Sequence, residues 1–557
     1  MAEAFPTEVW EMSWIYASLK DLKALSSSCQ LFRDICQPLL FERLKCLGPL
    51  LDEISPTKPE KTVEQMKRGR DRLHFIASNA KISSMVQSWT FDLPTESKNI
   101  STDIDAMIHD YPATEQIIHL SRAICSTFSS TIGVYTNLSE LTIVCFQFTP
   151  IFCEALASLP KLTMMHIMFC GVDCPVSFGG IALEHFVCGY EGWGSQDALG
   201  YLVSGSRLEQ LELLYPATAG PCLEVFAVSG PLPHLVALNL HLDGGSKDVF
   251  YQFLDCCPQF KCIRLEAPPT FAGVTLPETS IPTLRAFQGP LEIAGVFAGG
   301  RPVRSFDIQR RFGANEPADP TIVQQTLLQI STSSATLEYL TLPLLSLDSV
   351  PIRFIAENFP GLKHLVFFLR DTGIRALTSQ DPQSDEESEG DWETVGGSSQ
   401  AGSADEVIDV DEDDEHHSTG WMPLNELLNL STRDGPLNEL LSMSNLEEAM
   451  LEAMFKAQNG NGHHSDDCAS QCSHASDSES IDWSEGNSET YEDQTPKSFA
   501  DFMSALANDF IPLPRNIRTL SISLILAQGS KESDISISSV VEKLGARYPG
   551  LRKVIRV

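Results

Sequence analysis

The sequence predicts an α/β fold. A small N-terminal three-helix module leads into an irregular solenoid of short strands and helices, and a long acidic insert interrupts the array near its end. Three observations carry this. An apolar–Pro–x–Leu/Phe–x–x–apolar motif occurs six times, with a recurring spacing. A helical run with its own start signal stands ahead of the first copy. Most of the negative charge falls in one stretch.

The charge bounds the rest. The 557 residues hold 39 Lys+Arg and 74 Asp+Glu, a formal charge of -35. Residues 377–496 contain 30 acidic residues and two basic ones, Arg433 and Lys456, a net of 2 - 30 = -28. The other 437 residues therefore carry -35 + 28 = -7. Along the sequence no basic cluster is large enough to suggest phosphate-led binding, so no nucleic-acid partner is expected. The start, "MAEAFPTEVW", has an early acid and no apolar run, unlike a secretory signal. No stretch of about twenty apolar residues occurs, so no membrane partner is expected. The fifteen cysteines are scattered through apolar runs, which suits buried thiols in a reducing compartment, cytosol or nucleus.

The six motif copies are "LPKLTMM" at 159, "LPHLVAL" at 232, "CPQFKCI" at 257, "IPTLRAF" at 281, "FPGLKHL" at 359 and "YPGLRKV" at 548. Pro233, Pro258 and Pro282 are 25 and 24 residues apart. A period in the twenties, with L-x-x-L-x-L runs, marks a leucine-rich-repeat solenoid. Each run is a short strand with its apolar residues facing a core, and the proline ends the helix before it. Runs without the proline, such as Leu138/Leu141/Ile143 and Leu337/Leu340/Leu342, fill the missing periods. Val86/Trp89/Phe91 starts the series. The central residues fall at 141, 165, 186, 211, 238, 263, 287, 306, 340 and 365, in steps of 19 to 34. Ile517, Leu520 and Ile522, then "YPGLRKV", continue the array after the acidic stretch. The array is thus expected over 86–376 and again over 497–557, with 377–496 an insertion. Its leucines are core; function lies on the open strand face and the loops.

Phe5 to Leu44 holds three helices. Pro6 opens the first, with Glu8 in its first turn. Lys20-Asp21 breaks to a second carrying Leu22 and Leu25, and the third, "CQLFRDICQPLLFERL", is expected to stop at Pro38. The apolar-Pro-x-Glu start, the Asp-Leu of the middle helix, Ser26, Cys29, Phe32 and Arg33, and Pro38 to Phe41 together resemble the F-box, with Phe-Pro where that family usually has Leu-Pro. The resemblance covers about forty residues, taken as 1–45, and residues 46–85 are expected to be a helical linker. It implies a module that docks on the Skp-type adaptor of a cullin–RING ubiquitin ligase. Phe5, Pro6, Val9 and Ile15 would then lie at the adaptor interface, and Leu25, Phe32 and Leu39 in the core.

The acidic insert is expected to be disordered, because its composition cannot bury enough apolar surface. Within it, Val407, Ile408 and Val410 beside a dense acidic run resemble a SUMO-interacting motif. Ser384, Ser388, Ser476 and Thr490 each have an acid three residues on and resemble acidophilic-kinase sites. "PLNELL" at 423 and 436, and a helix from Ser444 to Phe455, are candidate partner-docking elements. His463, His464, Cys468, Cys472 and His474 fit no standard zinc spacing, so neither metal nor cofactor is expected. No phosphate-cradling loop, nucleophile elbow or H-E-x-x-H occurs, so no enzyme activity is expected. The expected function is substrate recognition for a ubiquitin ligase, with an adaptor and an unidentified protein substrate as partners. A non-ligase leucine-rich-repeat scaffold and an acidic chaperone for basic proteins such as histones are the alternatives.

Overall fold

The computed structural model describes residues 7–47, 59–92, 112–175, 177–189, 198–271, 276–309, 317–347, 349–370, 496, 498–525 and 537–556. These residues build a mixed α/β structure around one 14-stranded sheet, from Arg43–Leu47 to Lys553–Arg556. Strand order follows the chain, except that two short strands, Gln147–Phe148 and Gly171–Val172, pair with each other outside it. Adjacent strands of the large sheet are parallel, so each step needs a crossover connection. The crossovers share one continuous core with a single face of the sheet.

The register explains that core. Trp89 pairs with Leu141, Leu141 with Met165, and Met165 with Phe186. The same row continues through Phe287, Phe306, Leu340 and Leu365 to Leu520 and Val554. All ten central residues expected from the sequence lie on it. Period-2 strands place alternate residues on opposite faces, so one buried row fixes the register of the whole sheet.

The proline motif is a β-turn. In four of the six copies the carbonyl before the proline accepts from the N–H three residues on: Leu232 from Leu235 at 3.3 Å, Ile281 from Leu284 at 3.2 Å, Phe359 from Leu362 at 3.1 Å and Tyr548 from Leu551 at 2.8 Å. Proline at the second turn position presets φ, and the leucine that closes the turn enters the core.

The step from Phe287 to Phe306 is the shortest of the series, 306 - 287 = 19 residues. Its connection holds only the four-residue helix Leu291–Ala294 and a 3-10 turn, Gly295–Phe297. Arg301, 1 % exposed, fills the gap. Its guanidinium donates to five backbone carbonyls: Ser280, Val296, Gly299, Leu276 and Pro277, at 2.6 to 3.3 Å. Its own carbonyl accepts from Ser333 Oγ at 2.8 Å and Ser334 N at 3.0 Å. The side chain thus joins two successive connections, and the backbone carbonyl of the same residue adds a third, where a longer helix would otherwise satisfy the backbone.

Three expectations are corrected. The sheet begins at Arg43, not near 86: Arg43–Leu47 pairs with Ser88–Asp92, and Leu44 opposes Trp89 on the buried row. The stretch expected as a helical linker does carry a helix, Pro59–Ser78, but it is part of the main core, which holds its Val63, Met66, Leu73 and Ile76. The third helix does not stop at Pro38 but runs Gln30–Phe41; the proline falls in the last turns and its carbonyl still accepts from Glu42 N at 2.8 Å.

At the far end, His364–Arg370 pairs with Thr519–Ile525 over seven residue pairs, more than any other pair of strands in this sheet among the described residues. Asn516 Nδ2 donates to the Pro360 carbonyl at 2.8 Å across the same joint. Residues 371–495 therefore separate neighbouring strands of one sheet. Lys553–Arg556 closes it, and Tyr548 Oη accepts from the buried Leu513 N–H at 2.9 Å.

Replacing Arg301 by Met would remove five hydrogen bonds to backbone carbonyls, of which that of Pro277 also accepts from Ser280 N at 3.0 Å, and is expected to cost about 3 kcal/mol or more in urea unfolding, with Arg301→Lys intermediate because it has fewer donors. Truncation before Arg547 removes the last strand and the Tyr548 bond, and is expected to lower the thermal midpoint by several degrees, read by circular dichroism.

Candidate functional site

Two surfaces stand out. The first is on the N-terminal helices, Thr7–Trp14, Leu19–Ser28 and Gln30–Phe41. Ser18 caps the second, accepting from Asp21 N at 3.2 Å, and Cys29 Sγ caps the third, accepting from Phe32 N at 3.4 Å. Trp10, Trp14 and Phe32 lock them together, with the Trp14 and Phe32 rings edge-on at 4.7 Å. Trp14, Leu22, Ile35 and Cys36 form a separate core, with Leu25, Phe32 and Leu39 packed against it. With Trp14 taking the inner side, other apolar residues face water. Val9 is 45 % exposed, Met12 77 %, Ile15 63 %, Tyr16 92 % and Leu19 56 %. Val9 and Ile15 were singled out from the sequence; Met12 and Tyr16 were not. Phe5 and Pro6 lie outside the described residues. A cluster of large apolar side chains left in water marks an interaction surface.

The second surface is a row of residues two positions before each central core residue. After the first, the N–H of each donates to the carbonyl of its counterpart one strand earlier, at 2.7 to 2.9 Å. The first half of this row carries acids: Glu42, Glu184 and Glu209, with Gln87, Ser139, Thr163 and Val236. The second half reads Lys261, Arg285, Arg304, Glu338, Lys363, Arg518 and Arg552. Six cations and one acid thus follow one another along the rim. Glu338 bridges two of them, Oε1 to Arg304 at 3.7 Å and Oε2 to Lys363 at 2.7 Å. Arg285, Arg304, Arg518 and Arg552 are exposed. Burial pushes the nearby His364 imidazole below its usual range, and Arg518 and Lys363 push it further the same way.

Between these charges and the opposite edge, the open face carries a polar row one position after the core row. Glu212, Asn239, Arg264, Gln288, Asp307 and Thr341 are neighbours in register. Asn239 Nδ2 donates to Glu212 Oε2 at 2.7 Å, and Thr341 Oγ1 to Tyr339 Oη at 3.0 Å. Both amide atoms of the fully buried Gln288, and Ser305 Oγ beside it, find no partner among the described residues. Each such group costs about 1–3 kcal/mol. Burial pushes the Asp307 carboxyl up to about 6, partly offset by Thr341, Gln309 and Arg264.

Val407, Ile408, Val410, Ser384, Ser388, Ser476, Thr490 and the His/Cys group from His463 to His474 lie outside the described residues. Among the described residues no group of three His, Cys, Asp or Glu could hold a metal, and no helix is long and apolar enough to cross a membrane. None of the thirteen cysteines described is in a disulfide, and burial pushes the thiols of Cys46 and Cys145 up to about 11. No protein-family model matches the chain, and no curated protein matches it either.

Asp307 gives a pH signature. Its folded pKa lies above the unfolded value of about 3.9, so the folded state holds its proton more tightly. Stability should therefore fall as pH rises from about 4 to about 6, by up to about 3 kcal/mol, and stay lower above that. Asp307→Asn is expected to remove this decline and to raise the urea midpoint at pH 7, compared with the unmodified chain at each pH.

Proposed function

We propose that this chain is a substrate-recognition subunit of a cullin–RING ubiquitin ligase. Its N-terminal module acts as an F-box that docks on the Skp-type adaptor, and its sheet acts as an irregular leucine-rich-repeat surface that holds the substrate. The observation that carries the reading is the apolar cluster of Val9, Met12, Ile15, Tyr16 and Leu19 on a helical module with its own aromatic core. A module that served only to cap the sheet would turn such residues inward. The parallel strands in chain order support the second half: they present a long open face with a patterned, charged rim.

In this reading the chain does no chemistry. It raises the effective concentration of a bound substrate beside the ubiquitin-conjugating enzyme that the ligase carries.

Ile15→Asp combined with Tyr16→Asp alters only exposed residues, so the fold should survive and adaptor association should weaken about 100-fold. Co-purification of the full chain with the adaptor subunit measures this. Failure of the unmodified chain to associate, or equal association of the variant, would sink the adaptor reading.

A further inference from the structure

The sign change along the rim is sharper than the chain's composition leads one to expect. Outside 377–496 the chain is acidic overall, yet six cations occupy seven consecutive places in one hydrogen-bonded row. They come from Lys261 to Arg552, and only the strand register brings them together. Glu338, the single acid among them, shows what the rim accepts: a carboxylate between cations of neighbouring strands, one oxygen toward each. Lys261 and Arg285 precede this bridge along the row, and Arg518 and Arg552 follow it, so cations flank it on both sides.

The geometry points to a binding site for an extended, Asp/Glu-rich peptide segment of a partner protein, laid along the rim from Lys261 to Arg552. Strands about 4.8 Å apart make the seven places about 29 Å long, the span of about nine extended residues. A carboxylate-rich chain of that length can repeat the Glu338 arrangement at each flanking cation pair. In the other half Glu209 repels the same ligand, while Glu184 is paired with Arg207 and supplies no cation to it, so the ligand is confined to the far half. The inference deepens the substrate half of the proposed function and is independent of the adaptor half, so the two fail separately.

Fluorescence anisotropy of the full chain with a labelled Glu-rich peptide of about nine residues, and its Gln counterpart, tests it. The Glu peptide is expected to bind at least about tenfold tighter, and to weaken severalfold as ionic strength rises from about 0.05 to about 0.3 M. Arg285→Glu with Arg518→Glu changes exposed residues on separate strands and should weaken binding about tenfold or more, with the thermal midpoint unchanged. Glu209→Lys replaces a repelling acid by a cation and should tighten binding, by severalfold at most because it lies outside the cationic half. Equal binding of the two peptides, or indifference to the double charge reversal, overturns the assignment. So does tighter binding of a single-stranded oligonucleotide of equal charge, which would make the rim a nucleic-acid surface. Carboxylate-to-amine crosslinking of the chain alone gives the last check. Linkage of Lys261 or Lys363 mainly to residues 377–496 would make the chain's own acidic stretch the occupant and overturn the partner assignment.

Discussion

A strand inside a parallel sheet has a neighbour on both sides, and its central side chain must meet both at the same level. Here that condition holds without interruption from Leu44 to Val554. A shift of one residue would turn a core residue outward and its polar neighbour inward, so slippage is strongly opposed. Whatever the connections contain, they must deliver the next strand in step. The β-turns at the prolines do this in four places, and Arg301 does it where the connection is too short for a full helix. The charged rim and the polar row follow from the same condition, because a fixed register aligns every other position as well.

Arg301 and Gln288 show two ways of burying polarity in one structure. The guanidinium is fully engaged, so its desolvation is offset by charge-assisted hydrogen bonds. The Gln288 amide has no such compensation among the described residues, and it sits on the face without crossover helices. A buried, unsatisfied amide weakens the fold, whereas an apolar residue of the same shape would not. The first arrangement serves the architecture; the second marks the open face as a place where packing is not the sole requirement.

The core row was legible in the sequence because two signals coincide there. A period in the twenties and a positioned proline together locate Leu238, Ile263, Phe287 and Leu365, and the apolar runs between supply the rest. The first strand was not legible: "RLKCL" is five residues long, follows a helix directly and has no turn signal ahead of it. Arg301 was hidden in "AGGRPV", which reads as a loop, since no local pattern tells which carbonyls a guanidinium will reach. The apolar cluster at Val9 and Ile15 was half visible through the F-box resemblance. The rim was invisible, because its charges are scattered from 261 to 552 and a scan for basic runs passes over each of them.

The rim also has a consequence before any contact is made. With Glu42, Glu184 and Glu209 toward one end and the cations toward the other, the sheet carries a charge moment along its length. A charged body approaching from a distance exerts a torque on such a molecule and turns it, within the range that salt allows. Taken alone, this row turns its far end toward an acidic visitor and the end bearing the three helices away from it. Orientation is thus partly settled during diffusion, which shortens the rotational search that ordinarily slows the docking of specific surfaces.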